Sequence, residues 1–187
     1  MKKVFLLFIL MLGFVCVNAK TSKGKEVPES GNVDGYAYVD LDLPSGLKWA
    51  SCNLGANNPW DYGDYYEFPN SGKAVTSKWS TNWRVPSRAD FEELLHNCKW
   101  EWTTLEGING YKVSSKKHKK KWIFLPAAGR FYGTKNFNMG TDGNHWSSTD
   151  FDWTSYRSCY YLMTEPTKKG FSHVGPFCKQ SVRPVTE

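Results

Sequence analysis

The residues best suited to bind a ligand lie between His145 and Met163, in the segment HWSSTDFDWTSYRSCYYLM. Aromatic rings, hydroxyl groups and charged side chains are interleaved throughout this segment. Rings provide a large contact area at little cost in side-chain entropy, and charged groups add oriented hydrogen bonds. The segment is too polar to be buried and too aromatic for an idle loop. It predicts either a ligand-binding surface or a set of rings that covers the domain's own core.

The predicted binding surface combines a loop from Asp150 to Arg157 with a second loop in the sequence GFSHVG. In the first loop the rings, Phe151 among them, would supply stacking area. The arginine would supply a forked donor for carboxylate or hydroxyl groups, and the aspartate an acceptor. Trp146 is expected in the core instead, because it lies beside small serines in a regular strand. The predicted ligand-binding residues are Asp150, Trp153, Tyr156, Arg157, Phe171 and His173.

Patterns typical of catalysis are weak in this sequence. A glycosidase needs two carboxylates across a cleft, and the best available cluster is Asp61, Asp64 and Glu67 in WDYGDYYEF. Acidic residues in such a loop are more often turn formers and surface contacts than acid–base pairs. The chain has four histidines, but no nucleophile-elbow motif GxSxG accompanies them. We expect no catalytic residue and no cofactor, and a secreted carbohydrate-active enzyme is the alternative.

The first residues have the pattern of a secretory signal peptide. Lys2 and Lys3 precede an apolar run over residues 4–17, and residues 17–19 (VNA) fit a small-residue cleavage site. The run is too short to span a bilayer comfortably. We expect a secreted or cell-envelope protein. A lipoprotein anchored through Cys16 is the alternative, although bulky residues precede that cysteine.

The remaining chain has the size of one domain preceded by a tail. Removing residues 1–19 leaves 168 of the 187 residues. Residues 20–35 are rich in Lys, Ser, Gly and Glu, so they are expected to form a flexible stalk before a folded domain at residues 36–187. No later segment is long and apolar enough to cross a membrane.

The positive charge is concentrated in one short segment. The formal net charge of +6 falls to +4 without the signal peptide, and the five lysines within residues 116–121 leave the rest of the chain at −1. A nucleic-acid-binding protein is expected to have a broad positive face. The charge distribution therefore argues against a nucleic-acid partner.

The local patterns predict an α+β fold with many short strands and long loops. Strands are expected over residues 36–41 and up to Trp49, and residues 54–73 are expected to be mostly loop. Two further apolar strands flank the basic run Lys116 to Lys121 and predict a hairpin. Its lysines would keep an exposed turn soluble and discourage edge pairing. The alternative is a site for anionic glycans or phospholipid headgroups.

One helix is predicted from the segment PSRADFEELLHNC. Ser87 and Asp90 have the spacing of a capping box at a helix start. An apolar stripe follows at helical spacing and leaves His96 on the outer face. The residues of this stripe are Phe91, Leu94, Leu95 and Cys98.

Five segments occur in an order that matches a known family. They are YVDLDLPSGLKWASCNLGA, WRVPSRADFEELLHNCKWEWTTLEGINGYKV, IFLPAAG, HWSST and SVRPV. Together they resemble the Fibrobacter succinogenes major paralogous domain, from secreted and surface proteins of gut and rumen bacteria. The resemblance covers nearly all of Tyr36 to Val185. It implies a C-type-lectin-like fold: a small twisted antiparallel sheet, one or two short helices and long loops, with the ligand surface on the late strands and adjoining loops. The family offers no established catalytic residues to transfer.

The four cysteines outside the signal peptide favour disulfides in an exported domain. Their spacing contains no CxxC pair, which argues against a zinc site or a redox pair. Cys98 on the buried helix face and Cys52 at the end of an early strand predict one bridge. Cys159 and Cys178 predict a second bridge, which resembles the inner disulfide of C-type lectins, whereas the first departs from their usual outer one.

Calcium-dependent sugar binding is not expected. The lectin signatures are a Glu-Pro-Asn type triplet and a Trp-Asn-Asp triplet, but here Glu165 and Pro166 are followed by Thr167 and the second triplet does not occur. We therefore expect no metal site. The predicted function is non-catalytic binding of a glycan or protein ligand outside the cell, and a purely structural envelope component is a further alternative.

Overall fold

The computed structural model describes residues 28, 30–151 and 158–187. Within these residues the chain is mostly antiparallel β with two short helices, which confirms the predicted α+β class. No helix in this part of the chain is long and apolar enough to cross a membrane. In chain order the elements are β1 (Gly31–Val33), β2 (Tyr36–Asp40), β3 (Lys48–Ala50), β4 (Tyr66–Glu67), α1 (Phe68–Lys78), α2 (Arg88–Asn97), β5 (Cys98–Leu105), β6 (Ile108–Ser115), β7 (Trp122–Pro126), β8 (Arg130–Tyr132), β9 (Lys135–Phe137), β10 (Gly143–Phe151), β11 (Ser158–Glu165), β12 (Lys168–Val174), β13 (Cys178–Gln180) and β14 (Val185–Thr186).

The strands form four small sheets, with the orders β1-β2-β3-β14, β4-β13-β8-β9, β5-β6-β7 and β10-β11-β12. In the first sheet, Gly31 of β1 lies opposite Tyr38 of β2. Residues 31–33 therefore belong to a sheet, although they fall within the predicted stalk. The second sheet joins strands that are far apart in sequence, because β13 pairs with both β4 and β8.

Helix α2 begins as the sequence predicted. The backbone N–H of Asp90 donates to Ser87 Oγ at 3.2 Å, and the backbone N–H of Ser87 donates to Asp90 Oδ2 at 2.6 Å. This reciprocal pair confirms the capping box. Phe91 and Leu94 are buried on the inner face, and His96 is exposed on the outer face.

Residues 54–65 are loop, as expected, but residues 68–73 belong to helix α1, which the sequence did not predict. The helix starts at Phe68 with a proline in its first turn, a position where the missing proline N–H costs nothing. Its sequence FPNSGKAVTSK contains weak helix formers such as Gly72. The helix is held instead by tertiary packing, because Phe68, Ser71 and Val75 are buried.

The hairpin of β6 and β7 confirms the predicted pair of strands around the basic run. Its tip is fixed to the loop after β2, because His118 Nδ1 lies 2.8 Å and Lys121 Nζ 2.6 Å from the carboxylate of Asp42. Lys116 Nζ also donates to the carbonyl oxygen of His96 at 2.6 Å. The tip is therefore an anchored turn that carries further exposed lysines.

Two main hydrophobic cores hold the sheets together. In the first, Trp49 and Phe91 have ring centroids 5.2 Å apart. Trp146 is completely buried in the second, where its Nε1 donates to the carbonyl oxygen of Tyr66 at 2.6 Å. The expectation that Trp146 is a core residue is confirmed. Other buried members of the first core are Leu94, Val113, Ile123 and Leu162, and of the second Phe68, Val75, Trp83, Cys159 and Cys178.

A buried arginine joins distant parts of the fold. Arg183, which is fully buried, donates from Nε to Asn53 Oδ1 at 2.8 Å and from Nη2 to the carbonyl oxygen of Phe124 at 2.7 Å. Its Nη1 donates to the carbonyl oxygens of Ala50 and Ser51 at 3.1 and 2.8 Å. These hydrogen bonds offset the cost of burying the guanidinium. Arg183 thus ties the segment before β14 to the loop after β3 and to β7.

The predicted disulfides are not formed in the structure, where no bridge joins the four described cysteines. The thiol of Cys52 lies 3.4 Å from the carbonyl oxygen of Ala56, whereas Cys98 is buried in the first core. Cys159 and Cys178 are both buried in the second core, but as thiols. The pairings Cys52–Cys98 and Cys159–Cys178 stay predictions from the sequence.

Candidate functional site

The sheet of β10, β11 and β12 brings together several of the rings that the sequence singled out. Tyr160 of β11 lies directly opposite His173 of β12, and Phe151 of β10 lies opposite Ser158 of β11. Directly opposed residues, and residues two apart on one strand, point to the same side of a sheet. Phe151, Tyr160, Phe171 and His173 therefore share one face of this sheet.

The four rings are in mutual contact. Phe151 and His173 are stacked with centroids 3.9 Å apart and planes 10° apart. Tyr160 meets Phe151 edge-on at 4.9 Å and Phe171 edge-on at 6.4 Å. Offset-stacked and edge-to-face arrangements are the favourable geometries for aromatic pairs. The contacts fix the rings relative to one another.

Arg88, the first residue of α2, lies on the same cluster. Its guanidinium carbon is 4.6 Å from the ring centroid of Tyr160 and 5.1 Å from that of Phe171, which are cation–π distances. Its Nε donates to Glu92 at 2.9 Å. Its backbone N–H donates to Thr149 Oγ1 at 3.0 Å and so fixes the helix start to β10. We call Arg88, Phe151, Tyr160, Phe171 and His173 the aromatic patch.

The aromatic patch is supported from below, and parts of its rings are accessible to solvent. Phe171 packs against the first core and lies opposite the buried Leu162. Phe151, Tyr160 and Phe171 are nevertheless only partly buried, and His173 is exposed. Rings held by a sheet while their outer edges meet solvent form a preorganised contact surface, which lowers the entropic cost of binding.

The patch includes two of the six predicted ligand-binding residues, Phe171 and His173. Both lie on strand β12, whereas the sequence placed them in a loop. Asp150 lies on β10 opposite Cys159, whose side chain is in the second core, so Asp150 is on the other face of the sheet. Its Oδ1 is 3.9 Å from the thiol of Cys159. The other three predicted residues lie outside the described residues: Trp153, Tyr156 and Arg157.

Strand pairing, rather than a disulfide, brings the two predicted segments to one surface. Seven consecutive residue pairs join β11 to β12, from Cys159 opposite Val174 to Glu165 opposite Lys168. Phe151 and Ser158 lie at the two ends of the chain segment between β10 and β11. The aromatic patch therefore includes the end of β10 and adjoins the start of β11.

A second group of rings continues the same face of β12. Lys169 is two residues before Phe171 on that strand, and its Nζ lies 5.7 Å from the ring centroid of Tyr111 and 6.0 Å from that of Trp100. The ring of Trp102 meets Tyr111 edge-on at 5.1 Å. Cationic and aromatic side chains therefore alternate along this side of the domain.

The carboxylates considered for glycosidase chemistry are engaged in structural contacts. Asp61 Oδ2 accepts from the backbone N–H of Asn58 at 2.9 Å, as a turn-forming aspartate does. Asp64 forms an ion pair with Lys78 at 2.7 Å, and that contact lowers the pKa of its carboxyl group. A general acid needs a raised pKa. Glu67 precedes α1 and makes no side-chain cap. The lowered pKa of Asp64 therefore does not suit the role of a general acid.

The histidines also differ in environment. His145 is completely buried, and burial followed by the charge of Arg183 lowers its pKa to about 3, so its ring is neutral. His118 contacts Asp42, and His96 Nδ1 lies 2.7 Å from the carbonyl oxygen of Glu92. Only His173 lies in the aromatic patch. Among the described residues, no cluster of three or more His, Cys, Asp or Glu side chains could hold a metal ion.

Comparison of the chain with protein-family models, curated proteins and solved structures found no match. The assignment of a site therefore depends on geometry. Sequence reasoning missed Arg88, which lies far from β11 and β12 in the chain. One local signal indicates Arg88. A cation at the first position of a helix interacts unfavourably with the helix dipole, which suggests that another interaction stabilises Arg88 at this position.

Proposed function

We propose that this protein is a non-catalytic binding domain that recognises a glycan or protein ligand through the aromatic patch. The observation that carries the proposal is the set of four contacting rings on one sheet face, partly exposed and crossed by the guanidinium of Arg88. Aromatic and arginine side chains are the residues that most often dominate binding surfaces. If these rings only covered the core, they would be expected to be buried.

We also propose that the domain has a C-type-lectin-like fold of the kind found in the Fibrobacter succinogenes major paralogous domain. The small antiparallel sheets, the two short helices and the extensive loops support this proposal in outline. The position of the aromatic patch on the late strands β10 to β12 is where the resemblance puts a ligand surface. Fold analogy alone does not specify a ligand, so the proposal for function depends on the patch.

The proposed location is outside the cell or in the cell envelope. The pattern of residues 1–19 supports export, and a lipid anchor at Cys16 is the alternative route to the envelope. We propose neither a nucleic-acid partner nor a cofactor. Outside the tip of the β6–β7 hairpin, the chain has no strong excess of positive charge that would suit a nucleic acid.

A glycan array and a pull-down from culture medium test the proposed function on the chain from residue 20 onward. Phe171→Ala and Tyr160→Ala should abolish binding because they remove contact area from the patch. Tyr132→Ala is the matched control, since Tyr132 is 66% exposed and lies on β8 outside the patch. Equal binding by all three variants would show that the ligand uses another surface. Hydrolysis of arrayed glycans would favour the enzyme alternative.

A further inference from the structure

We propose that the aromatic patch binds a carboxylate-bearing glycan and that Arg88 is the residue that recognises the carboxylate. This inference rests on the proposed function, because it specifies the ligand class of the same surface. It depends on the hydrogen-bonding capacity left on Arg88, on the charges along β12 and on the shape of the patch.

The guanidinium of Arg88 is positioned but only partly used. Among the described residues its side chain makes one hydrogen bond, from Nε to Glu92. The rings of Tyr160 and Phe171 lie against the guanidinium, and the side chain is still 40% exposed. The two terminal nitrogens thus retain N–H donors that can face solvent. A planar fork of this kind matches a carboxylate in a bidentate pair.

The contacts of Arg88 reduce the entropic cost of binding a carboxylate to its guanidinium. An unrestrained arginine loses considerable rotamer freedom when it binds an anion. Here Glu92 and the two rings already restrict the side chain, so less entropy remains to be lost on binding. Glu92 occupies Nε and partly balances the charge, but it does not engage the terminal nitrogens.

The surrounding charges favour an anionic ligand. Lys169, Phe171 and His173 alternate along the same side of β12, so Lys169 and His173 are separated by about 13 Å at the usual rise of a strand. Lys169 lies over rings, and no ion pair joins it to a carboxylate within residues 30–151 and 158–187. Asp150, an acidic residue close in sequence to Phe151, lies on the opposite face of the sheet. On the accessible side of the patch, the cations Arg88 and Lys169 therefore outnumber the one carboxylate, Glu92, among the described residues.

The shape of the patch favours a sugar chain over an acidic peptide. Partly exposed aromatic rings can pack against the apolar faces of pyranose rings, while the arginine fork reads a carboxylate on the same unit. Lys169 lies two residues before Phe171 on β12, and Arg88 lies against the same Phe171 ring. Two cations on one row of rings suit a linear chain of acidic sugars such as uronic acids. Positive charge alone would be enough to bind an acidic peptide. The tip of the β6–β7 hairpin has more positive charge than the aromatic patch, so an acidic peptide would be expected to bind there instead.

The experiment compares charged and neutral forms of the same glycan. Oligogalacturonate, a sialylated oligosaccharide and the methyl ester of each are titrated into the chain from residue 20 onward by calorimetry. We expect at least one acidic form to bind about tenfold or more tightly than its ester, as for a charge-assisted bidentate contact. Poly-glutamate is the probe for an acidic peptide.

Variants then assign the preference to Arg88. Arg88→Gln should remove the difference between acid and ester while binding of the ester persists, and Arg88→Lys should retain only part of it. Phe171→Ala should weaken acid and ester alike. Lys119→Gln, which removes one exposed charge from the hairpin tip, is the control and should leave the preference unchanged. Melting temperatures of all variants show that each is folded.

The failures of the two proposals are distinguishable. Glycan binding with no preference for acid, or a preference that survives in Arg88→Gln, overturns the inference about Arg88 and leaves the binding function standing. Equal or tighter binding of poly-glutamate overturns the choice of a glycan. No binding of any arrayed glycan overturns the inference about an acidic glycan. If Phe171→Ala then also captures the same proteins as the unchanged chain in the pull-down, the proposed function is overturned as well.

Discussion

The imidazole of His173 lies parallel to the ring of Phe151, with centroids 3.9 Å apart, although the two residues belong to the outer strands of a three-stranded sheet. The contact therefore spans the middle strand, β11, whose Tyr160 lies opposite His173 and meets Phe151 edge-on. A ligand that rests on this stack contacts all three strands at once. The rigidity of the patch thus comes from the sheet.

Replacing His173 tests whether this stack belongs to the binding surface. His173 is exposed, so His173→Ala should lower the free energy of unfolding by only about 0.5–1.5 kcal/mol, the value of one aromatic pair. Ligand affinity should fall, and His173→Phe should restore part of it by restoring the stack. Titration calorimetry and denaturant unfolding separate the two effects. A large loss of stability with unchanged affinity would make the stack a structural element.

The tryptophans Trp146 and Trp153 are expected to respond in opposite ways. Trp146→Ala should destabilise the domain by about 3–5 kcal/mol, because it leaves a cavity in the second core and an unpaired Tyr66 carbonyl. Trp153→Ala should abolish binding and leave the melting temperature nearly unchanged. Urea unfolding with a binding assay checks both. If Trp153→Ala unfolds the domain, Trp153 belongs to the core of the domain and not to a binding surface.

Asp42 predicts a pH dependence of stability. Hydrogen bonds from Lys121 and then His118 hold the pKa of Asp42 well below its ordinary value of 3.8. The ionised carboxylate therefore stabilises the folded state fully above that value, and the contribution is lost progressively as the pH falls below 3.8. Asp42→Asn, which tolerates the left-handed backbone at this position, should cost about 1–2 kcal/mol at neutral pH.

Unfolding curves at several pH values check this prediction. The difference between the wild-type chain and Asp42→Asn should be constant near neutral pH and should shrink at acid pH. A difference that persists undiminished well below pH 3.8 would mean that the carboxylate charge is not the source of the stability.

The lysines of the hairpin tip should divide into two groups. Replacing Lys117, Lys119 and Lys120 by Ser should change the free energy of unfolding by no more than about 0.5 kcal/mol and should leave ligand binding intact, because all three are exposed. Lys121→Ser should cost more, since it breaks the 2.6 Å contact with Asp42. A marked loss of binding to heparin or anionic vesicles in the triple variant would make the tip a functional site.

The thiol of Cys98 should be unreactive in the folded chain. Burial raises its pKa to about 12, and the residue is only 5% exposed. The thiolate is the form of cysteine that reacts with alkylating reagents. Alkylation at neutral pH should therefore modify Cys98 only after the chain is unfolded, and no reductant should be needed for the reaction. Peptide mapping by mass spectrometry follows the modification. A Cys52–Cys98 peptide under non-reducing conditions would restore the bridge predicted from the sequence.

Features encoded within a few residues could be predicted from the sequence. The capping box of Ser87 and Asp90 depends on local spacing alone, and the burial of Trp146 follows from its regular strand. Helix α1 was missed because its own residues are weak helix formers and its stability comes from the buried Phe68 and Val75.

The candidate site was only partly predictable for a related reason. Phe171 and His173 were recognised as contact residues, but their strand was taken for a loop because glycines flank the segment. The contact between Arg88 and Tyr160 joins residues far apart in the chain, and no local pattern encodes such a pairing. The cysteine pairing, which stays a prediction, likewise depends on the relative positions of separate elements.

The hydrogen bonds of Arg183 also set the order in which the molecule can assemble. During synthesis, a chain that has emerged only as far as β13 still lacks the guanidinium that spans Asn53 and Phe124. It also lacks β14, whose Val185 lies opposite Trp49 at the centre of the first core. The native contacts that Asn53, Phe124 and Trp49 make with Arg183 and Val185 therefore form only after the last residues of the chain have been made. A chain that is exported in an unfolded state would lack these contacts until its last residues had crossed the membrane.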